Sequence, residues 1–302
     1  MKIFIFGAGY SGKAFARARP DADASIAGTT RSPEKFDTLR AAGIEPLCFD
    51  GDLTPEIAEI LRQITHLVVS IAPDEAGDPV LNAARPFIRG EMPDLAWIGY
   101  LSTVGVYGDH GGGWVDETSE CRPVSRRSIA RVAAEREWLA LGQEAGIPLA
   151  ILRLSGIYGP GRNAFVNLAK GTAKRLVKQG QVFNRIHAED IAEALWHLGM
   201  ARQGGVFNIT DDLPAPPQDV VAYAAELMGI SPPDEIPFET AQLSPMARSF
   251  YGENKRVSNA AIKRTGYRFR YRDYRAAFDA MWAARNWDGE GGGDARSAMK
   301  PG

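Results

Sequence analysis

The chain has 302 residues, with 35 Lys and Arg against 37 Asp and Glu, a net charge of −2, and 45% hydrophobic residues. This length allows one large α/β domain with an appendage or two modest domains, and the charge balance indicates neither a nucleic-acid nor a membrane partner. The two cysteines and four histidines lack metal-ligand spacing, so we expect no disulfide framework and no metal site. There is no run of about 20 apolar residues and no export signal, so we expect a cytoplasmic protein.

Strand-like and helix-like segments alternate through the first 155 residues. Short apolar runs predict strands at 2–6, 24–29, 44–49, 65–71, 95–101 and 149–154. Amphipathic patterns with helix start and stop signals predict helices at 11–19, 33–42, 79–89 and 125–145. Strands separated by helices are typical of an α/β fold, and we expect a doubly wound parallel Rossmann sheet.

The second half of the chain has a different texture, with shorter and less regular segments. Its predicted helices lie at 164–179, 188–201 and 219–228, and its predicted strand lies at 206–209. The remainder, through 275–284, is expected to mix short helices and turns. We therefore divide the chain into a Rossmann domain at 1–160 and a small mixed C-terminal lobe at 161–285. Within the lobe, segment 186–210 is expected to return to the Rossmann domain. Residues 286–302 are polar and rich in glycine, and are expected to form a flexible tail.

A glycine motif follows the first predicted strand. Residues 7–12 read G-A-G-Y-S-G, a G-x-G-x-x-G at the start of a helix. Gly7 allows the tight turn, Gly9 leaves space for a pyrophosphate, and Gly12 lets the helix pack closely on the strand. The helix N-terminus, at Tyr10 and Ser11, favours a bound anion. The motif predicts a nicotinamide dinucleotide site, and a glycine-rich turn without a ligand is the alternative.

The end of the second predicted strand indicates which dinucleotide is bound. NAD sites usually carry an acidic residue there, and this sequence has none. Arg31 can form a fork on a 2′-phosphate, with hydroxyl donors from Thr30 and Ser32, so NADP is favoured over NAD. Asp50 or Asp52 is expected near the adenine, although an acidic turn explains them equally well. Other residues expected to border the cofactor are Ala72, Pro73 and Ser102.

Three later segments carry a family resemblance. Residues 101–108 (LSTVGVYG) resemble the SSxxVYG strand end of extended short-chain dehydrogenases/reductases, and 152–161 (LRLSGIYGPG) resemble their LRxxxVYGPG motif. Residues 186–192 (IHAEDIA) resemble their IHVxDxA motif. The order and spacing are similar to the NAD-dependent epimerase/dehydratase group over about residues 1–280. Residues 254–271 resemble the end of its atypical, YeeZ-like branch.

The resemblance implies a catalytic set, and this sequence departs from it. The family uses a Ser or Thr, which falls on Thr103, and a Tyr four residues before a Lys. The aligned positions here are Arg127 and Arg131. A guanidinium stays protonated near neutral pH, so Arg127 is a poor general base, whereas Arg131 can still hold the ribose as a donor. Gly156 replaces the family's Asn, which contacts sugar nucleotides. Both departures count against ordinary sugar-nucleotide epimerase activity.

Other side chains are candidates for the missing roles. Tyr107 and Tyr158 are expected in loops that face the nicotinamide, where either can act as an acid or base, and packing anchors are the alternative. His187 is expected below the substrate pocket, with a structural role equally open. Arg162 and Arg185 are candidates for binding an anionic substrate group. The resemblance also implies that a homodimer can form through the helices near 79–90 and 125–145.

Two functions remain open at this point. The first is an NADP-dependent oxidoreductase or epimerase-like enzyme with a non-standard acid/base, acting on a small molecule that can be anionic. The second is a catalytically silent module that senses NADP(H) or binds a partner. The missing Tyr favours the second, and the retained Thr103 and substrate lobe favour the first.

Overall fold

The computed structural model describes residues 1–20 and 22–289, and parallel strands organise this part of the chain. The strands are β1 (Lys2–Phe6), β2 (Ser25–Thr30), β3 (Glu45–Cys48), β4 (His66–Val69), β5 (Trp97–Thr103), β6 (Trp114–Val115), β7 (Leu149–Leu154), β8 (Gly156–Tyr158), β9 (Arg175–Val177), β10 (Arg185–His187), β11 (Gly205–Ile209), β12 (Glu235–Pro237) and β13 (Arg256–Val257). The helices are α1 (Tyr10–Arg17), α2 (Phe36–Arg40), α3 (Pro55–Leu61), α4 (Pro79–Gly90), α5 (Arg126–Ala145), α6 (Ala164–Ala169), α7 (Ala188–Met200), α8 (Pro217–Met228), α9 (Pro245–Phe250), α10 (Ala260–Arg264) and α11 (Tyr274–Ala284).

The central sheet has seven parallel strands in the order β11-β7-β5-β4-β1-β2-β3. Every residue of β7 is buried, as expected of a strand covered on both faces. On one face α7 packs against α1, where the rings of Phe15 and Trp196 stack with their centroids 4.5 Å apart. On the other face α4 and α5 pack against each other and cover a second buried cluster that includes Trp138. The predicted α/β class with a doubly wound parallel sheet is confirmed.

The C-terminal lobe depends on strand pairings that no local sequence pattern predicts. Three two-stranded parallel sheets join distant segments: β8 with β10, β9 with β12, and β6 with β13. The predicted helix at 164–179 is wrong in its second half, because α6 ends at Ala169 and Gly171 then adopts a φ of +66°. The chain leaves that turn as β9, which pairs with a strand about 60 residues later.

The two halves of the chain meet at one edge of the central sheet. Because all seven strands are parallel, their carboxyl ends lie together, and the loops after β1, β2, β4, β5 and β7 border one crevice. Segment 186–210 supplies α7 and β11 to the Rossmann layer, and β11 pairs with β7 from Gly205 to Ile209. The part of the predicted tail at 290–302 lies outside the described residues. None of the described helices is long and apolar enough to span a membrane.

Candidate functional site

The glycine loop after β1 has a conformation that depends on its first glycine. Gly7 has a φ of +86°, and a Cβ at this position would lie 2.8 Å from the Ile71 side chain. Thr29 of β2 holds the loop on its other side. Its hydroxyl accepts a hydrogen bond from the Gly7 amide at 2.9 Å, and its carbonyl accepts one from the Ala8 amide at 2.8 Å. Sequence reasoning missed Thr29, because its contact with the loop depends on the pairing of β1 with β2.

The N-terminus of α1 is free to receive an anion. A Cβ at Gly9 would have no neighbour nearer than the Gly7 carbonyl oxygen at 4.0 Å, so the space in front of Gly9 is open. No side chain caps the helix, and its first turn carries no acidic residue. A Cβ at Gly12 would lie 3.4 Å from Ile5, which reflects the close packing of α1 on β1. These features fit the pyrophosphate of a dinucleotide.

Cationic side chains gather where β2 ends. Arg31 is exposed directly after the strand, and the Thr30 hydroxyl accepts a hydrogen bond from the Ser32 amide at 3.2 Å. The pKa of Lys13, on α1, is lowered first by burial and then by the positive charges of Arg17 and Lys35. The charge of Lys35 thus acts on Lys13 although α1 and the turn after β2 are separate segments. The sequence prediction of this region named Arg31 but missed both lysines.

The remaining predicted cofactor neighbours follow β3 and β4 at the same edge of the sheet. Asp50 and Asp52 are exposed after β3, and no side-chain contact within residues 1–20 and 22–289 fixes either carboxylate. After β4, Ala72 is exposed and Pro73 is buried. These positions thus follow strands at the carboxyl edge of the sheet, and each remains a predicted contact.

The end of β5 carries the hydroxyl groups of the expected catalytic set. The Thr103 hydroxyl accepts a hydrogen bond from the Gly105 amide at 3.1 Å. A Cβ at Gly105 would lie 3.4 Å from Thr103 Oγ1 and 3.3 Å from Ser128 Oγ, so both hydroxyls border the same small space. Ser102 instead points into the protein and donates to the buried Glu135. Ser128, on α5, therefore lies near Thr103, and sequence reasoning did not identify it.

The two arginines at the family's Tyr and Lys positions have different surroundings. Arg131 Nη1 donates to the Tyr100 hydroxyl at 3.0 Å and to the Leu101 carbonyl at 2.8 Å, and its guanidinium lies 5.5 Å from the Tyr100 ring centroid. Arg127 is exposed and forms no hydrogen bond or ion pair with any residue that the structure describes. The donors of Arg131 are thus partly used to tie α5 to β5, while the charge of Arg127 remains unpaired.

Tyr107, expected in a loop facing the nicotinamide, is instead fully buried in a short 3₁₀ turn. Its hydroxyl donates to Asn208 Oδ1 at 2.7 Å and accepts from Arg153 Nη1 at 3.0 Å. Arg153 also forms a buried ion pair with Glu135 at 2.8 Å. Burial raises the pKa of Tyr107 to about 12, so it stays protonated at neutral pH. These contacts connect β7 and β11 with α5, and they leave Tyr107 no free position toward a reactant.

Tyr158 and His187 pack against each other on paired strands rather than lining an open loop. Tyr158 lies on β8 and is 7% exposed, with its ring 5.3 Å from that of His187. Its hydroxyl has no partner within the described chain, and burial raises its pKa well above the usual value. His187 Nδ1 accepts from the Glu189 amide at 3.3 Å and so caps α7, which leaves the proton on Nε2. Burial lowers the pKa of His187 to about 4, so the ring is neutral.

The loop after β8 contacts the glycine loop directly. The Tyr10 hydroxyl donates to the Pro160 carbonyl at 3.0 Å, and the guanidinium of Arg162 lies 5.9 Å from the Tyr10 ring centroid. Arg185, the other predicted anion-binding arginine, uses Nη1 to hold the Phe183 and Ala215 carbonyls at 2.9 and 3.0 Å. Arg162 is thus the member of the pair that reaches the dinucleotide loop.

Comparisons with known proteins agree with this architecture. The family model described as NAD dependent epimerase/dehydratase family matches residues 94–210, which include the β5 and α5 side of the site. The chain is 29% identical to Protein YeeZ of Escherichia coli strain K12 over 250 residues, which cover 77% of this chain and 85% of that protein.

Two solved structures extend the similarity over nearly the whole chain. A conserved protein of unknown function from Silicibacter pomeroyi is 45% identical with a TM-score of 0.85, covering 93% of this chain and 98% of its own. The structure of a putative NAD-dependent epimerase/dehydratase from Methylobacillus flagellatus is 26% identical with a TM-score of 0.67, covering 94% of this chain and 98% of its own. With the glycine loop and the matched motifs, these findings show that the chain is an NAD(P)-binding protein that belongs to the NAD-dependent epimerase/dehydratase family.

Proposed function

We propose that the protein is an NADP(H)-dependent oxidoreductase that acts on a small molecule without the family's tyrosine and lysine. The observation that carries the cofactor preference is the group of cations around the end of β2. Within residues 1–20 and 22–289, Lys13, Arg31 and Lys35 form no side-chain hydrogen bond or ion pair. The positive charges of Lys13 and Lys35 oppose each other, and an anion bound beside them would relieve this repulsion.

A 2′-phosphate is an anion suited to this position. It lies on the adenine ribose, which the end of β2 approaches in dinucleotide-binding Rossmann folds. No acidic residue is present from Gly28 to Ser32 to accept a hydrogen bond from an unmodified 2′-hydroxyl. The phosphate relieves the repulsion among the cations, whereas NAD(H) leaves it in place. The charge distribution thus favours NADP(H) through an attractive and a repulsive contribution.

The hydroxyls of Thr103 and Ser128 support a role in catalysis. A bound nicotinamide supplies or accepts a hydride, and the protein must then hold the oxygen of the reacting carbonyl or alcohol. The Thr103 oxygen already accepts from Gly105, so its own proton is available for donation to a substrate oxygen. Two neighbouring hydroxyl donors can bind and orient that oxygen and stabilise developing negative charge. A solvent molecule would then supply the proton that a tyrosine supplies in relatives.

Titration calorimetry with NADPH and NADH tests the cofactor preference. We expect wild type to bind NADPH at least 10-fold more tightly, and Arg31→Ala to lose about 10-fold in NADPH affinity while NADH affinity is unchanged. Equal affinities in wild type, unaltered in Arg31→Ala, would remove the preference. Arg40→Ala is a matched control, because Arg40 is an exposed arginine paired with Asp37 on α2.

Oxidation of bound NADPH, followed by its absorbance against a panel of aldehydes, ketones and sugar nucleotides, tests the chemistry. Turnover that falls at least 10-fold in Thr103→Val, with unchanged NADPH affinity, supports the oxidoreductase. The rate constant separates this role from a structural one, because a structural change would also alter cofactor affinity.

A silent NADP(H)-binding module is the second candidate. The observation that favours it is the state of the polar groups near β5: Arg131 is tied to Tyr100 and Leu101, and the Tyr107 hydroxyl is buried with two partners. If wild type binds NADPH tightly but oxidises it with no member of the panel, and Thr103→Val behaves identically, this candidate is preferred.

A further inference from the structure

The loop after β8 and the glycine loop after β1 come from different halves of the chain and touch at Gly159. A Cβ at Gly159 would lie 2.6 Å from the Tyr10 hydroxyl and 3.3 Å from His187 Nε2, so only glycine allows this approach. The Tyr10 hydroxyl uses the resulting space to donate to the Pro160 carbonyl. The two loops therefore pack closely at Gly159. The buried His187 Nε2, which has no partner within the described residues, lies at the same place.

The backbone that carries Arg162 is firmly anchored. Asn163 Nδ2 donates to the Gly159 carbonyl at 2.8 Å and to the Trp287 carbonyl at 2.6 Å. The Gly161 amide donates to the same Trp287 carbonyl at 2.8 Å. These bonds hold the loop from both sides, so the Cα of Arg162 has a defined position relative to α1.

The side chain of Arg162 is exposed and lacks a partner. It forms no hydrogen bond or ion pair with any side chain or carbonyl in the described part of the chain. Its guanidinium nevertheless lies 5.9 Å from the ring centroid of Tyr10, the first residue of α1. An arginine held over the first residue of an uncapped helix lies beside the amides that receive a phosphate.

We propose that Arg162, supplied by the C-terminal lobe, binds the pyrophosphate of the dinucleotide on α1 and so clamps the cofactor between the two halves. This inference rests on the proposed function only in requiring a dinucleotide at α1. It does not require the 2′-phosphate, because the pyrophosphate is common to NAD(H) and NADP(H). The planar guanidinium fork matches two phosphate oxygens, and stacking on Tyr10 orders the fork in advance. Arg162 thus acts on the cofactor, in place of the substrate anion that its sequence position indicates.

Calorimetry with NADPH, NADH and adenosine 2′-monophosphate tests the clamp. Arg162→Met keeps the apolar stem over Tyr10 but removes the charge. We expect it to weaken NADPH and NADH equally, by about 10- to 50-fold, and to leave adenosine 2′-monophosphate unaffected because that probe lacks a pyrophosphate. Arg162→Lys should recover part of the loss, since an ammonium still pairs with phosphate as a point charge. The control is Arg275→Met, because Arg275 is likewise exposed and lies over an aromatic ring, 5.5 Å from the Tyr223 ring centroid.

The outcomes separate this inference from the cofactor preference. If wild type binds both dinucleotides equally but Arg162→Met weakens both, the preference for NADP(H) fails and the clamp stands. If Arg162→Met leaves both dinucleotide affinities unchanged, the clamp is overturned, whatever the preference. Equal loss in Arg162→Met and Arg275→Met would also overturn it, because the loss would then be a general effect of removing a stacked arginine.

Discussion

The carboxyl ends of β2 and β5 lie on the same edge of the sheet, yet their charged groups are used in opposite ways. Around β2, Lys13 and Arg31 have no ion-pair partner among the described residues, and the first turn of α1 carries no acid. Around β5, Ser102 and Arg153 are bound to the buried Glu135. Unpaired cations indicate where a ligand supplies the missing partner, whereas paired ones indicate where the fold uses polar groups for itself.

Breaking the buried pair should give the largest effect. Arg153 and Glu135 side chains are 8% and 5% exposed, and Arg153→Met leaves the Glu135 charge buried without its partner. We expect a loss of about 3–5 kcal/mol in the free energy of unfolding, measured by chemical denaturation. Arg153→Met combined with Glu135→Leu should recover much of this loss, because no unpaired charge remains. Arg31→Ala should lower the free energy of unfolding by less than about 0.5 kcal/mol. If Arg31→Ala instead lost as much stability as Arg153→Met, the two regions would not differ in the way described.

The second-largest effect is expected from filling the space in front of Gly9, which should weaken cofactor binding without changing stability. Gly9 has a negative φ of −79° and open space around its Cβ position, so we expect Gly9→Val to remain folded. Its side chain would occupy the space that the pyrophosphate requires, and we expect at least a 100-fold loss of NADPH affinity, about 2.7 kcal/mol. Gly90→Val is the matched control, since a Cβ there meets no neighbour within 4 Å and lies at the end of α4. A folded Gly9→Val protein with wild-type affinity would place the dinucleotide elsewhere.

The same contrast explains what sequence reasoning can reach. The glycine loop, most strands of the central sheet and the absence of an acid after β2 are local patterns, and they predict the fold and the cofactor edge. The positions that were missed or misplaced depend on contacts between distant segments. Thr29 is recognisable only once β2 lies beside β1, and Lys13 only once α1 approaches Lys35.

Tyr107 shows why motif position does not determine the environment of a side chain. Its place in the VYG motif predicts a loop that faces the nicotinamide. In the structure, however, Arg153 and Asn208, from two other strands, bind its hydroxyl. The second half of the predicted helix at 164–179 fails for a related reason. Its residues pair with Glu235–Pro237, and no pattern within the segment itself reveals that partner.

A smaller effect is expected from the pH dependence of stability. Burial lowers the pKa of His187 from 6.5 to about 4, so below pH 6.5 the unfolded chain binds a proton that the folded chain does not. Stability contributed by the neutral ring is therefore complete above pH 6.5 and falls as the pH drops toward 4. His187→Asn keeps an acceptor to cap α7 but does not titrate. Between pH 7 and pH 5, wild type should lose about 2 kcal/mol more than this variant, measured by denaturation at each pH. Parallel pH profiles would show that His187 is not the neutral group we describe.

The smallest expected effect tests whether the region near β5 can be returned to the family's usual chemistry. We expect wild type to show no epimerase or dehydratase activity on UDP- or GDP-sugars, and Arg127→Tyr combined with Arg131→Lys to create none. Position 127 is exposed, so a tyrosine placed there is expected to point to solvent. The α5 hydroxyl near Thr103 is that of Ser128.

Gly156, on the substrate side of the site, gives a second reason to expect no activity from the double variant. A Cβ at Gly156 would lie 3.2 Å from the Asn184 carbonyl oxygen, the same oxygen that accepts from the Gly156 amide at 3.0 Å. A side chain at position 156, where the resemblance places the family's sugar-nucleotide Asn, would therefore crowd the backbone pairing of β8 with β10. Chromatographic separation of sugar-nucleotide products, with calorimetry to verify that the double variant still binds NADPH, measures the outcome. Clear turnover by wild type would overturn the claim that the acid/base pair is absent. Turnover by the double variant alone would show that Arg127 and Arg131 are the barrier, and that the missing Asn at Gly156 is not.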